Sequence, residues 1–330
     1  MFNTKTLKLW LIIAIMTLLT ACGAGEEELT EVTLMLDWVP NTNHTGIFVA
    51  QEKGWYEEAG LKVEIIQPGE TYAEQVVAAG SAQFGISFQE AVTMARAEEA
   101  PIVSVSAIIQ HNTSAFASRV AENISEPKNF EGKNFGSYGS PAEKPVIDAL
   151  MSCDGGASAD TVNFVDTGFA DFLSITEGDV DFSWIFYGWE GIDAELKGVE
   201  LNLIMLNEWL DCVPDFYTPV IITNETMIAE QPEIVKAFVS ATAKGYEHAI
   251  ANPDDAADIL IKAAPETDAE LTKASQKWLS QQYQADAAAW GVQEAAVWQN
   301  FADLLFENGV LAEKQDMSGA FSNDFLPTGN

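Results

Sequence analysis

Short apolar runs alternate with stretches of helical periodicity along most of the chain. Runs at 32–37, 62–66, 83–87 and 102–109 read as strands, with helices expected at 46–59, 70–79 and 90–98 between and after them. Such alternation implies an α/β sheet with helices on both faces. Ligands in these sheets gather outside the carboxyl ends of strands, which marks loops 38–45 and 88–89. A second unit starts near residue 120. It contains expected strands at 134–138, 161–165 and 182–186 and helices from Ser140 and over 168–177. Ser140, Pro141 and Glu143 supply an N-cap, a first-position proline and a third-position acid, while Pro145 delays or kinks the next turn.

The run 217–223 reads as a strand returning to the first unit. Helical patterns follow at 232–251, 254–263, 268–283 and 293–308, the last stopped by Gly309. A sheet built early, helices arriving late and a unit inserted between them imply two chain crossings, near 118–120 and 218–221. The expected lobes are therefore 31–119 with 220–330, and 120–219.

Composition narrows the chemistry. The 330 residues are 48% hydrophobic, enough for two cores, and carry a formal net charge of −34. Such acidity excludes polyanions, including nucleic acid, as partners. Arg96 and Arg119 are the two arginines, so guanidinium forks for sulfonate, nitrate or phosphate are scarce. His44, His111 and His248 are scattered and no histidine or cysteine group has metal spacing, so neither a metal nor a cofactor is expected. Cys153 and Cys212 read equally well as a disulfide or as small buried residues.

At the start of the chain, Lys5 and Lys8 precede the apolar run 9–19 and Leu19-Thr-Ala-Cys22-Gly. This order describes a secretory signal over 1–21, too short for a membrane span of ~20 apolar residues. Leu-Thr-Ala-Cys resembles the bacterial lipobox, which implies a diacylated Cys22 and a polar tether over 22–30. Without 1–21 the chain holds 14 basic against 50 acidic residues, a net of about −36.

Further motifs sharpen the reading: Asp37-Trp-Val-Pro-Asn-Thr-Asn-His-Thr-Gly46, Ala50-Gln-Glu-Lys-Gly-Trp-Tyr56, Gly136-Ser-Tyr-Gly-Ser-Pro141, Trp184-Ile-Phe-Tyr-Gly-Trp-Glu190, Asp215-Phe-Tyr-Thr-Pro219 and Trp290-Gly-Val-Gln293. Together they resemble the substrate-binding lipoproteins of bacterial ABC importers, in the branch that binds thiamine pyrimidine precursors. The resemblance implies a two-lobed type II periplasmic-binding-protein-like fold with two hinge crossings and a helical C-terminal part. It further implies a monomer, lipid-anchored on the outer face of the cytoplasmic membrane. Such a protein hands formylaminopyrimidine or hydroxymethylpyrimidine to an ABC permease and its ATPase. Riboflavin or another flat heterocycle is the alternative ligand.

The same superfamily contains enzymes that make hydroxymethylpyrimidine phosphate from their own histidine and pyridoxal phosphate. Their consumed histidine aligns with Gln89 here, and their cysteine-rich run falls near Cys212 to Tyr217, where this chain has one cysteine. These departures and the export signal point to binding, not synthesis. A structural surface protein, the remaining alternative, does not account for the two-lobe pattern.

The expected cleft combines aromatic faces with a few polar groups, as a flat neutral ring requires. Trp38, Trp184, Tyr187 and Trp189 lie at or after strand ends, with a core role as the alternative for Trp184. Glu190 is the leading polar contact, able to accept from an exocyclic amine and a protonated ring nitrogen. Asp37 either contacts ligand or caps the loop after it. Asn41, Asn43 and His44 offer donors and acceptors, His44 for hydrogen bonding or loop fixing and not as a base. Gln89 reads amide-type edges or simply starts a helix. Ser137, Tyr138, Gly139 and Ser140 form a helix-start turn suited to a polar ligand group or to capping alone.

Overall fold

The computed structural model describes residues 28–69, 71–168 and 170–327. The signal segment and Cys22 lie outside the described residues.

Ten strands form two five-stranded sheets. The first contains β1 (Thr30–Met35), β2 (Leu61–Ile66), β3 (Phe84–Ser87), β4 (Ile102–Ala107) and β10 (Val220–Asn224), in the order β2-β1-β3-β10-β4. The second contains β5 (Ser114–Arg119), β6 (Asn134–Ser137), β7 (Asn163–Asp166), β8 (Phe182–Phe186) and β9 (Leu201–Met205), ordered β7-β6-β8-β5-β9. In each sheet four strands run in one direction, and the return strand, β10 or β5, is antiparallel to both its neighbours.

The chain passes between lobes at 108–113 and 206–219. β5 was expected in the first unit, but it pairs with β8 and β9, so the first passage precedes Ser114 instead of lying near 118–120. Its sequence, Ser-Ala-Phe-Ala-Ser-Arg, has no apolar run to announce a strand. Position in mid-sheet is what buries it.

The two passages are stapled together. Asp215 accepts from the backbone N–H of Asn112 at 2.9 Å, and His111 Nδ1 lies 2.6 Å from its other oxygen. His111 Nε2 is 2.8 Å from Asp286, in the segment between the helices at 269–279 and 295–307. Burial pulls the His111 imidazole down, but its hydrogen bonds to Asp215 and Asp286, with their charges, outweigh that and raise its pKa. A disulfide joins Cys153 to Cys212, linking the second lobe to the second passage.

In the first lobe the expected 46–59 helix is two, α1 (Thr45–Glu52) and α2 (Trp55–Glu58). Two further helices follow, α3 (Ala73–Ala78) and α4 (Gln89–Ala97). The second lobe carries α5 (Glu143–Cys153), α6 (Phe172–Ile175) and α7 (Ile192–Leu196). α5 begins at Glu143, two residues beyond the expected first position at Pro141, a delay that leaves Pro145 in its first turn, where its missing N–H is an orphan anyway.

The late helices are α8 (Glu225–Glu230), α9 (Pro232–Ala251), α10 (Pro253–Ala263), α11 (Ala269–Leu279) and α12 (Ala295–Glu307). α9 crosses α1 at two glycines. A Cβ at Gly245 would stand 1.9 Å from the Gly46 carbonyl oxygen, so the Gly46 of the first motif is a packing residue. Behind the first sheet Phe84 stacks on Phe238, while Phe116, Phe130, Phe135 and Phe182 fill the second core.

Candidate ligand cleft

A cleft of about 1080 Å³, part of it open to solvent, lies where loops at the ends of β1, β3, β6, β7 and β8 converge. Both lobes contribute. Asp37, Trp38, Asn41, Phe88 and Glu90 come from the first, and Tyr138, Trp184, Trp189 and Glu190 from the second. Phe88 and Phe186 face each other across it, with ring centroids 6.1 Å apart and nearly parallel. The charged residues lining it are all acidic: Asp37, Glu90, Asp171, Glu190 and Asp193. Arg96 is engaged by Ile102 O and Glu225, and Arg119 by Leu173 O and Thr176, so neither reaches the cleft.

The first wall is a folded loop. His44 is fully buried and its Nδ1 accepts from the Asn41 N–H at 3.2 Å, which leaves the ring proton on Nε2, directed at Asp37 Oδ1 2.6 Å away. His44 therefore fixes the loop and does not line the cleft. Asp37, which does, is braced by His44 and not by the backbone of 39–41. Asn41 caps the turn over Thr42–His44 through Asn43 N–H and donates to Val39 O while still bordering the cleft with Asn43.

The second wall is a wide π-helical turn, Tyr187–Gly191, between β8 and α7. It turns Trp189 and Glu190 toward the cleft and Tyr187 away. Tyr187, expected at the ligand, does not line the cleft: its hydroxyl donates to Glu195 at 2.5 Å and its ring meets Trp278 edge-on at 5.0 Å. Glu190 accepts from the Phe186 N–H at 3.1 Å. Burial pushes its carboxyl up to about 7 against the pull of backbone N–H groups, with Asp171 and Asp193 adding to the rise. Trp184 is core and cleft at once. Its ring packs on Phe116 and Phe216, its surface lines the cleft, and its buried Nε1 has no protein partner.

Two expectations fail for the same reason, internal consumption of polar groups. Gln89 is fully buried, its amide nitrogen donating to Val297 O at 3.1 Å and its oxygen accepting from Tyr217 N–H at 2.8 Å. It holds α4 against the second passage and α12 and does not touch the cleft. In the turn after β6, Glu143 occupies the place reserved for a ligand group. Its carboxylate accepts from the Ser137 hydroxyl at 2.5 Å and the Tyr138 N–H at 3.0 Å, and Ser137 Oγ accepts from Gly139 N–H. Ser137, Gly139 and Ser140 thus lie outside the cleft lining, Ser140 serving the Ala142 N–H instead of an N-cap. Lys144 is paired with Asp160.

Sequence reasoning marked the loop that holds Phe88 but passed over Glu90, Phe186, Asp171 and Asp193. Glu90, one residue beyond Gln89, is 4% exposed, and burial pushes its carboxyl up to about 8. The signal available for it was an acid in the first turn of a helix that follows a strand.

Outside the cleft the two walls are tied through α11. The Thr42 and Ser275 hydroxyls are 2.5 Å apart, and Ser275 donates to the Gly188 carbonyl. A Cβ at Gly188 would approach Leu279 Cγ at 3.0 Å and Trp278 Cζ3 at 3.1 Å, so the π-turn docks on α11 only as glycine allows. Among the described residues no group of histidine, cysteine or carboxylate side chains is arranged to hold a metal, and no helix is long and apolar enough to cross a membrane.

Comparison with known proteins agrees with this architecture. A formylaminopyrimidine-binding protein of Halalkalibacterium halodurans is 28% identical over 97% of this chain and 99% of its own length. The riboflavin-binding protein RibY of Chloroflexus aurantiacus is 24% identical over 96% of this chain and 97% of its own. A 4-amino-5-hydroxymethyl-2-methylpyrimidine phosphate synthase of Legionella pneumophila is 27% identical over 72% of this chain and 75% of its own. In fold, the alkanesulfonate-binding protein SsuA from Xanthomonas axonopodis superposes with a TM-score of 0.70 at 13% identity, covering 89% of this chain and 99% of that one. The NMT1/THI5-like family matches residues 41–256, and the chain belongs to it.

Proposed function

We propose that this protein is an extracytoplasmic solute receptor that captures formylaminopyrimidine or hydroxymethylpyrimidine and delivers it to an ABC permease and its ATPase. The observation that carries the reading is the cleft's composition: aromatic side chains from both lobes, acidic residues as its sole charged groups among the described residues, and a half-buried Glu190 in its lining. A carboxylate there accepts from an exocyclic amine and a protonated ring nitrogen together. Anionic ligands such as sulfonates or nitrate meet five acids and no cation.

The lobes, taken as 31–113 with 220 onward and 114–219, close about the two passages when ligand touches both walls. Cys22 anchors the monomer by lipid to the outer face of the cytoplasmic membrane. Trp38, Trp189 and Glu190 are the leading ligand contacts, with Asp37, Asn41, Tyr138 and Trp184 around them. The protein binds and does not synthesise: Gln89, at the position of the synthases' consumed histidine, is spent on backbone groups of Tyr217 and Val297. Riboflavin is the second reading, favoured by the near full-length likeness to RibY. A thermal-shift panel of both pyrimidines, riboflavin, taurine and nitrate tests the proposal. Stabilisation by a pyrimidine supports it, and stabilisation by taurine or nitrate alone refutes it.

A further inference from the structure

Two residues that line the cleft, Glu90 from the first lobe and Trp184 from the second, each carry a buried polar atom, Oε2 and Nε1, with no hydrogen-bond partner among the described residues. A buried polar group left unpaired is costly, so such atoms in a ligand cleft mark what the ligand must supply. Trp184 Nε1 carries a hydrogen and asks for an acceptor. Glu90 asks for a donor if ionised and for an acceptor if protonated.

Charge decides between these. Glu90 opens α4, and its surroundings supply no cation. Glu74 on α3 is an acid that raises it further, Asp37 and Glu190 share the cleft, and Tyr138 is the neighbouring phenol. β4 brings no titratable side chain. α12 carries Asp303, paired with Lys314, and Glu307. A second buried anion in an acidic cleft is unfavourable when Glu190 already serves the amine edge of the ligand.

Resting on the heterocycle reading above, we propose that Glu90 is a second recognition residue. It acts as a neutral carboxylic acid, donating its O–H to an acceptor atom of the bound ring, a formamide oxygen or a ring nitrogen, from the wall opposite Glu190. Glu90 and Trp184 then both demand acceptors and Glu190 demands donors, so the site selects a ring with an amine edge and acceptors on another edge. The rise of the Glu90 carboxyl to about 8 keeps that proton in place at neutral pH.

The test is calorimetry with formylaminopyrimidine at pH 6.5, 8 and 9 on wild type, Glu90→Gln and Glu90→Leu. Glutamine retains a donor at all pH values and leucine has none. Leucine is expected to weaken binding roughly tenfold or more at pH 6.5. Glutamine should recover most of that loss and should remove the fall in affinity that wild type shows above about pH 8. Equal loss in both variants would mean that the carboxylate is the acting form, and unchanged binding in Glu90→Leu would remove Glu90 from the site. Either overturns the proposal.

Wild type that binds no pyrimidine would fail the functional reading instead, and ligand-free melts still decide on the proton. With its folded pKa above the unfolded value of ~4.3, Glu90 favours folding below that value and costs stability as pH rises toward 8. Glu90→Gln should therefore gain on wild type across that window. Curves that stay parallel overturn the neutral acid.

Discussion

Two turns of the second lobe each follow a strand and each present a glutamate, yet they do opposite things. After β6, Glu143 is spent on the Ser137 hydroxyl and the Tyr138 N–H of its own turn, and nothing remains to meet a ligand. After β8, Glu190 accepts from the Phe186 N–H and keeps carboxylate surface in the cleft. The same contrast recurs in the first lobe between adjacent residues. Gln89 has both ends of its amide occupied by backbone, while Glu90, which lines the cleft, leaves one buried oxygen without a partner among the described residues. A polar group consumed by its own chain is architecture, and one left under-satisfied is recognition.

The largest expected effect breaks the contrast at Glu143. Glu143→Ala leaves the Tyr138 N–H and the Ser137 hydroxyl without their acceptor, at a cost of about 3 kcal/mol in urea unfolding. Because Tyr138 lines the cleft and rests on Glu143, ligand affinity should fall as well, but by less than about tenfold in protein that remains folded. A large loss of affinity at unchanged stability would reverse its assignment.

Gln89→Ala is next. It strands Tyr217 N–H and Val297 O and should cost about 2 kcal/mol of stability by the same measurement. Gly188→Val sharpens the comparison from outside the cleft. Overpacking against Leu279 and Trp278 is worth about 1–2 kcal/mol, which should appear as roughly tenfold weaker binding and a larger radius of gyration in ligand-bound scattering. The smallest effect is at the passages. His111 has a raised folded pKa, so its contribution to stability is fully present below its unfolded value of ~6.5 and is lost as pH rises through the folded value. The stability gap between wild type and His111→Asn should narrow as pH climbs from 6 to 9 in thermal melts.

The alternation of apolar runs and helical periodicity made most of both sheets and the late helices legible, because burial writes itself as runs of Val, Ile, Leu and Phe. β5 escaped because mid-sheet burial of Ser, Ala and Ser leaves no such run. The loop 37–44 was recognisable as one wall, but which side chains face outward was not: His44 is turned inward by a tautomer-specific pair of hydrogen bonds. Nor does periodicity reveal a π-turn. The wider winding of 187–191 sends Tyr187 to Trp278 and brings Trp189 and Glu190 to the cleft. Gln89 and Glu90 differ by a rotation of one helical position, which sequence alone does not resolve.

That Glu190 carries recognition is tested most directly by calorimetry of formylaminopyrimidine against wild type and Glu190→Gln. Glutamine keeps the shape but replaces one acceptor oxygen with a donor facing the amine edge. Binding should be at least about tenfold weaker, a loss of about 1.4 kcal/mol or more, with a melting temperature no lower than that of wild type. Equal affinity in the two proteins would contradict it.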